Sequence, residues 1–187
     1  MRRALLVVAA VAAIAGIVAT YALTAEPGWY VRLRYPLRYE VVVRGHAANY
    51  RLDPALVAAV IYAESKFDSG TRSGAGAIGL MQLLPSTAQG IADRTGGRAY
   101  RPSDLLDPEI NVRYGSWYLR HLLDHYGSRP DALELSLAAY NAGQANVDRW
   151  LDATPAGRRV AIPFSETRAY VARVLHLRAL YRRGYGL

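Results

Sequence analysis

The apolar positions of this chain form one long uninterrupted run, followed by a series of shorter groups at helical spacing. Ala4 to Ala25 is uncharged and mostly apolar, and Arg2 and Arg3 precede it. A run of that length suffices to cross the hydrocarbon core of a membrane as a helix. Residues 26–37 then mix aromatic and arginine side chains with Pro27 and Pro36, the composition of a linker hugging the membrane surface or the domain. Tyr39–Tyr50 predicts a first helix. Asp53–Phe67 predicts the next, with Asp53 as N-cap and Pro54 at the first helical position. Residues 68–79 are rich in glycine and serine and predict a loop. Further helices are predicted from Pro85 to about Thr95, from the Asp107–Pro108 cap to about Tyr126, over Asp131–Tyr140 and Gln144–Leu151, and from Ser165 to about Arg182. Strand-like alternation is almost absent. The expectation is an N-terminal membrane anchor over 1–25, a linker over 26–37 and a mainly α domain over 38–187.

One polar residue breaks the pattern. Val57, Val60, Ile61 and Glu64 fall at i, i+3, i+4 and i+7, so Glu64 occupies a slot on the apolar stripe of its helix. A carboxyl placed there loses hydration, its charged form is disfavoured and its pKa rises. That is the setting of a general acid near neutral pH. The competing reading ends the stripe before Glu64 and leaves it solvated in the last turn, where the helix dipole mildly opposes an acid.

Composition narrows the setting. The formal net charge is +8, and it remains +6 once Arg2 and Arg3 are set aside. The basic residues are scattered, Lys66 is the only lysine, and no helix-turn-helix, zinc-finger or single-strand-binding signature accompanies them. Nucleic acid is therefore not an expected partner; attraction to an anionic matrix or acidic lipid fits better, and plain solubility explains the charge equally well. There is no cysteine, so no disulfide holds the fold and no N-terminal cysteine can carry lipid. No convincing cleavage site precedes Glu26, which favours an uncleaved anchor over a signal peptide. Arg2 and Arg3 favour a cytoplasmic start with the domain outside, although Arg32, Arg34 and Arg38 beyond the other end weaken that argument.

Three separated segments give Glu64 a context. The first runs from Glu64-Ser65-Lys66-Phe67 through Ser73 to Gly79-Leu80-Met81-Gln82-Leu83-Leu84-Pro85-Ser86-Thr87-Ala88. The second is Ala139-Tyr140-Asn141-Ala142-Gly143, and the third Ile162-Pro163-Phe164-Ser165-Glu166-Thr167-Arg168-Ala169-Tyr170-Val171. In this order and spacing they resemble the catalytic domain of the soluble lytic transglycosylases, which share the goose-type lysozyme fold. The resemblance covers roughly residues 38 to 182.

It implies a peptidoglycan substrate, cleavage between N-acetylmuramic acid and N-acetylglucosamine, and no cofactor. Glu64 would act as both acid and base, leaving a 1,6-anhydromuramyl end. The substrate-binding positions it implies are Ser73, Met81, Gln82, Tyr140, Asn141 and Tyr170. Ser73 is read alternatively as a turn former, Met81 and Tyr170 as packing residues, and Asn141 as a turn cap. Leu84 departs from the pattern, since many relatives carry methionine just before the proline; the swap conserves volume.

The other candidates are weaker. Asp68, Asp93, Asp104, Asp107 and Asp152 supply no persuasive second carboxylate of the kind hydrolytic glycosidases pair. His121 and His125 share a helix face, but Leu122 stands where a zinc-protease motif needs glutamate, so no metal is expected. A muramidase hydrolysing the same bond and a non-catalytic wall-binding scaffold are the rival functions.

Overall fold

The computed structural model describes residues 2–97, 99–155 and 157–187. It consists of α1 (Arg2–Ala25), α2 (Gly28–Arg34), α3 (Glu40–Asn49), α4 (Pro54–Ser65), α5 (Pro85–Thr95), a 3-10 turn (Pro102–Leu106), α6 (Pro108–Tyr126), α7 (Ala132–Ala142), α8 (Gln144–Asp152) and α9 (Ser165–Tyr185). Among the described residues there is no β-strand, only isolated bridges that tie Ile78 to Arg72 and to Leu83. The domain is mainly α, as the sequence pattern predicts.

Two helices start by the same device. The Asp53 side chain accepts from Ala55 N at 3.0 Å at the head of α4. Asp107 accepts from Glu109 N and Ile110 N at the head of α6. In each, proline fills the first helical position, where its missing N–H is no loss. Asp53 also receives Arg178 and Arg182 from α9, so one carboxylate caps α4 and ties it to the last helix.

Helix α4 corrects the expectation of an amphipathic stripe. Every residue from Ala55 to Ile61 is buried, so α4 is the central helix and is enclosed on all sides. Its alanines let α9 and α3 approach closely. Glu64 is therefore not one slot on a stripe but the first polar residue at the end of a buried rod.

Residues 28–34, within the expected linker, form helix α2, which packs on α9 and buries Val31 completely.

Two buried clusters make up the core. The larger joins α3, α4, α6, α7 and α9; the smaller gathers Ile78, Leu83, Ala88, Ile91, Ala92, Leu105 and Tyr114. Tyr118 and Tyr140 pack against both. The seam between the clusters is where the three sequence segments meet.

Candidate active site

Glu64 lies half-buried in the last turn of α4. The chain leaves that helix through two consecutive left-handed residues, Lys66 (φ 53°) and Phe67 (φ 65°). For a buried aromatic such as Phe67 this backbone region is strained, by about 1 kcal/mol or more, and persists only where surrounding packing dictates it. Gln82, in the facing loop, is also left-handed at φ 46°. Strain of this kind collects at functional sites, and here it flanks the one carboxyl at the end of the buried helix.

The facing loop, residues 78–83, is held by its backbone. Ser65 Oγ donates to Leu80 O at 2.8 Å, directly linking the neighbour of Glu64 to the loop. Asn111, fully buried on α6, accepts from Met81 N (2.8 Å) and donates to Ile78 O (2.9 Å) and Leu105 O (2.8 Å). Tyr140 Oη donates to Met81 O at 2.8 Å. Gly79 (φ 81°) cannot carry a side chain, because a Cβ there would overlap Leu105 O and the Asn111 amide. Gly115 is required for a matching reason: a Cβ there would lie 2.8 Å from the Met81 Cβ and nearer still to its sulfur.

Two phenols flank the carboxyl, Tyr140 from α7 and Tyr170 from α9. Burial pushes the Glu64 pKa up to about 7, against the opposing pull of the Tyr170 hydroxyl and the Arg173 guanidinium. The Tyr170 hydroxyl is buried and forms no well-aligned hydrogen bond, yet it lies near enough to Glu64 to favour the carboxylate. Both phenols are held well above their ordinary pKa, first by burial and then by the Glu64 charge, so they are neutral donors. No carboxylate is among the groups acting on Glu64. Asp68 instead accepts from Gly70 N, Asp93 from Gln89 Nε2, and Asp104 from Arg101 N.

Tyr170→Phe removes a group that favours the ionised carboxyl, so the alkaline limb of the pH–rate profile is expected to move upward from about 7. A limb that stays in place or moves down shows that this phenol does not act on Glu64.

The residues singled out in the sequence separate into three groups. Gln82, Tyr140 and Asn141 line one groove of about 220 Å³ together with Leu83, Leu84, Thr87 and Tyr118. The Gln82 amide nitrogen is engaged by Thr71 O and Gly79 O, which leaves its oxygen for a ligand. Ser73 is exposed in its loop, where its hydroxyl accepts from Ala77 N at 3.0 Å in a turn and keeps its proton to donate.

Met81 and Tyr170 follow the packing alternative open to each of them. The Met81 side chain is fully buried against Gly115, so only its backbone serves the site. Tyr170 is 2% exposed, which leaves no ring face for a sugar and gives its hydroxyl to the carboxyl instead. A second hollow, lined by Arg94, Trp117, His121 and Gln144, shares Thr87 and Tyr118 with the first and lengthens the groove. There the Trp117 and His121 rings stack at 5.3 Å, nearly parallel.

Asn111, which holds the facing loop, is not among the residues that the sequence singles out. Its signal was available, since it lies three, four and seven residues before Tyr114, Gly115 and Tyr118 on the inward side of α6. Among the described residues no group of three or more His, Asp or Glu side chains could hold a metal ion.

Comparison with known proteins identifies the family. The family described as Transglycosylase SLT domain matches residues 42–161. The soluble lytic murein transglycosylase of Escherichia coli (strain K12) is 36% identical over 156 residues, which covers 80% of this chain and 24% of that protein. The membrane-bound lytic murein transglycosylase F of Pseudomonas fluorescens (strain Pf0-1) is 30% identical over 180 residues, 84% of this chain and 35% of that one. Among solved structures, an inactive mutant of the lytic transglycosylase Slt from Pseudomonas aeruginosa superposes with a TM-score of 0.74 at 33% identity, covering 83% of this chain and 26% of that one. The lysozyme-like helical fold is shared. The chain spans only about a quarter to a third of the length of these relatives.

Proposed function

The chain belongs to the transglycosylase SLT domain family, and from that premise we propose that it is a peptidoglycan lytic transglycosylase with Glu64 as its single acid and base. The observation that carries this reading is a half-buried carboxyl with a pKa of about 7, flanked by two neutral phenols and acted on by no second carboxylate. Protonated near neutral pH, Glu64 gives its proton to the oxygen joining N-acetylmuramic acid to N-acetylglucosamine as that bond breaks towards an oxocarbenium-like state. The N-acetyl group of the muramyl ring stabilises the developing cation. Glu64, now ionised and supported by the Tyr170 hydroxyl and Arg173, takes the proton of the C6 hydroxyl. The C6 oxygen closes on C1, a 1,6-anhydromuramyl end leaves, and Glu64 is again protonated with no water consumed.

The remaining roles follow from position. Gln82 and Asn141 supply amides to the sugars, and Tyr118 and Tyr140 line the same groove. Ser73 can donate from the opposite loop. Met81 and Tyr170 act from behind the groove, the first through its carbonyl and the second on Glu64. No cofactor enters the reaction.

We read residues 1–25 as a membrane anchor and 38–187 as the catalytic domain. Helix α1 is long and apolar enough to cross a bilayer. The substrate places the domain outside the cytoplasm, with Arg2 and Arg3 on the inner side.

Mass spectrometry of purified sacculi digested by the full chain tests the reaction type. Anhydromuramyl ends are expected. Reducing muramyl ends would mean that water attacks C1 and that the enzyme is a muramidase; intact sacculi would leave a binding scaffold.

A further inference from the structure

Helix α1 does not end in a free hinge. Arg183, near the end of α9, donates to Ala25 O at 2.9 Å and to Glu26 O at 3.3 Å, a cation set on the carbonyl end of α1. The Glu26 carboxylate meets His176 of the same helix at 3.4 Å, and Ala22 is buried. Only Glu26 and Pro27 separate α1 from α2, and α2 is locked in turn. Val31 presses on Gly184, where a Cβ would fall 3.0 Å from the valine Cβ. Arg32 donates to Gly184 O at 2.8 Å, and the Tyr185 hydroxyl accepts from Leu37 N at 2.9 Å.

These contacts decide which side of α2 faces outward. Trp29 and Leu33, at i and i+4, share that side, and they are 48% and 77% exposed. Arg38 follows closely and is exposed, whereas Arg34 turns back to donate to the Tyr62 hydroxyl at 3.1 Å. An indole and a leucine turned to the outside, with an arginine close by, directly beyond an apolar helix of 24 residues, match the composition of a bilayer interface.

We propose that α2 lies on the surface of the bilayer that α1 crosses, with Trp29 and Leu33 in the headgroup layer and Arg38 on anionic lipid. The domain is then held in one pose rather than tethered. Helix α9 sets its reach: Arg183 grips the end of α1, and Tyr170 adjoins Glu64 thirteen residues earlier, about 20 Å along the helix axis. The surface rests on the anchoring of α1 and is independent of the chemistry at Glu64.

The chain has no cysteine, so single labels can be introduced cleanly. Leu33→Cys and, separately, Asp152→Cys in the full chain are labelled with an environment-sensitive fluorophore. Asp152 is exposed at the end of α8, whose Trp150 packs on Phe164 at the far end of α9, roughly 27 Å along that helix from Arg183. Each protein is reconstituted into vesicles of phosphatidylethanolamine and phosphatidylglycerol carrying a lipid with a quencher just below its headgroup. Quenching at position 33 is expected to exceed that at 152 by about threefold or more. Protein that floats with the vesicles but is quenched equally weakly at both positions overturns the docking and leaves the anchor standing, as it would if a second copy covered this face. Protein that does not float overturns both.

Discussion

Glu64→Gln is expected to lower the rate of glycan cleavage by about 10³–10⁴-fold, because one residue performs both proton transfers and glutamine performs neither. The amide keeps the size of the carboxyl, so the fold and sugar binding should persist. Solubilisation of purified sacculi measures the loss, and co-sedimentation with intact sacculi checks binding. A variant that still digests at the wild-type rate would remove Glu64 from the chemistry.

The same substitution should raise stability at alkaline pH. A carboxyl whose pKa rises from 4.5 when exposed to about 7 in the fold holds its proton more tightly in the native state. Its contribution is complete below pH 4.5 and is lost progressively as the pH rises from there through 7, amounting to on the order of 3 kcal/mol. Glutamine does not ionise. The melting temperatures of the two proteins should therefore coincide below pH 4.5, diverge between pH 4.5 and 7, and keep their full separation above pH 7, with the variant higher.

Asn111→Ala carries the largest expected effect on folding. It leaves Met81 N and Leu105 O without a partner in the buried interior behind the groove, while Ile78 O keeps only Leu83 N. Unpaired buried groups cost about 1–3 kcal/mol each, so a loss of about 3–5 kcal/mol is expected. In a domain of this size that lowers the melting temperature by about 10 °C. Urea unfolding at pH 7 measures it, and a change below about 1 kcal/mol would show that the loop is held by other means. Cleavage should fall as well, because the Met81 carbonyl that anchors Tyr140 would no longer be fixed.

The contrast between Glu64 and Asn111 shows what a sequence reveals of this site. Asp53-Pro54 and Asp107-Pro108 announce their helices because capping is local chemistry, and both helices begin there. Glu64 was legible because it ends an apolar run. The enclosure of α4 was not, since periodicity scores a face and alanines on the other sides carry little signal whether buried or not. Helix α2 escaped detection for a different reason. Seven residues with two arginines give no period to read, and the helix exists through the tertiary contact of Val31 with Gly184. The roles of Met81 and Tyr170 depend on direction, which motif spacing does not encode. Each lies in a segment that reaches the site, and each sends only a backbone carbonyl or a hydroxyl towards it.

The proposed chemistry depends on the ionisation of one carboxyl. Its most direct test is the pH titration of protein labelled with ¹³C at the glutamate side-chain carboxyl, with Glu64→Gln identifying the Glu64 resonance by its absence. A midpoint near 7 is the predicted result. A midpoint near the 4.5 of an exposed glutamate would leave Glu64 ionised at neutral pH, unable to donate the first proton, and would rule it out as the general acid.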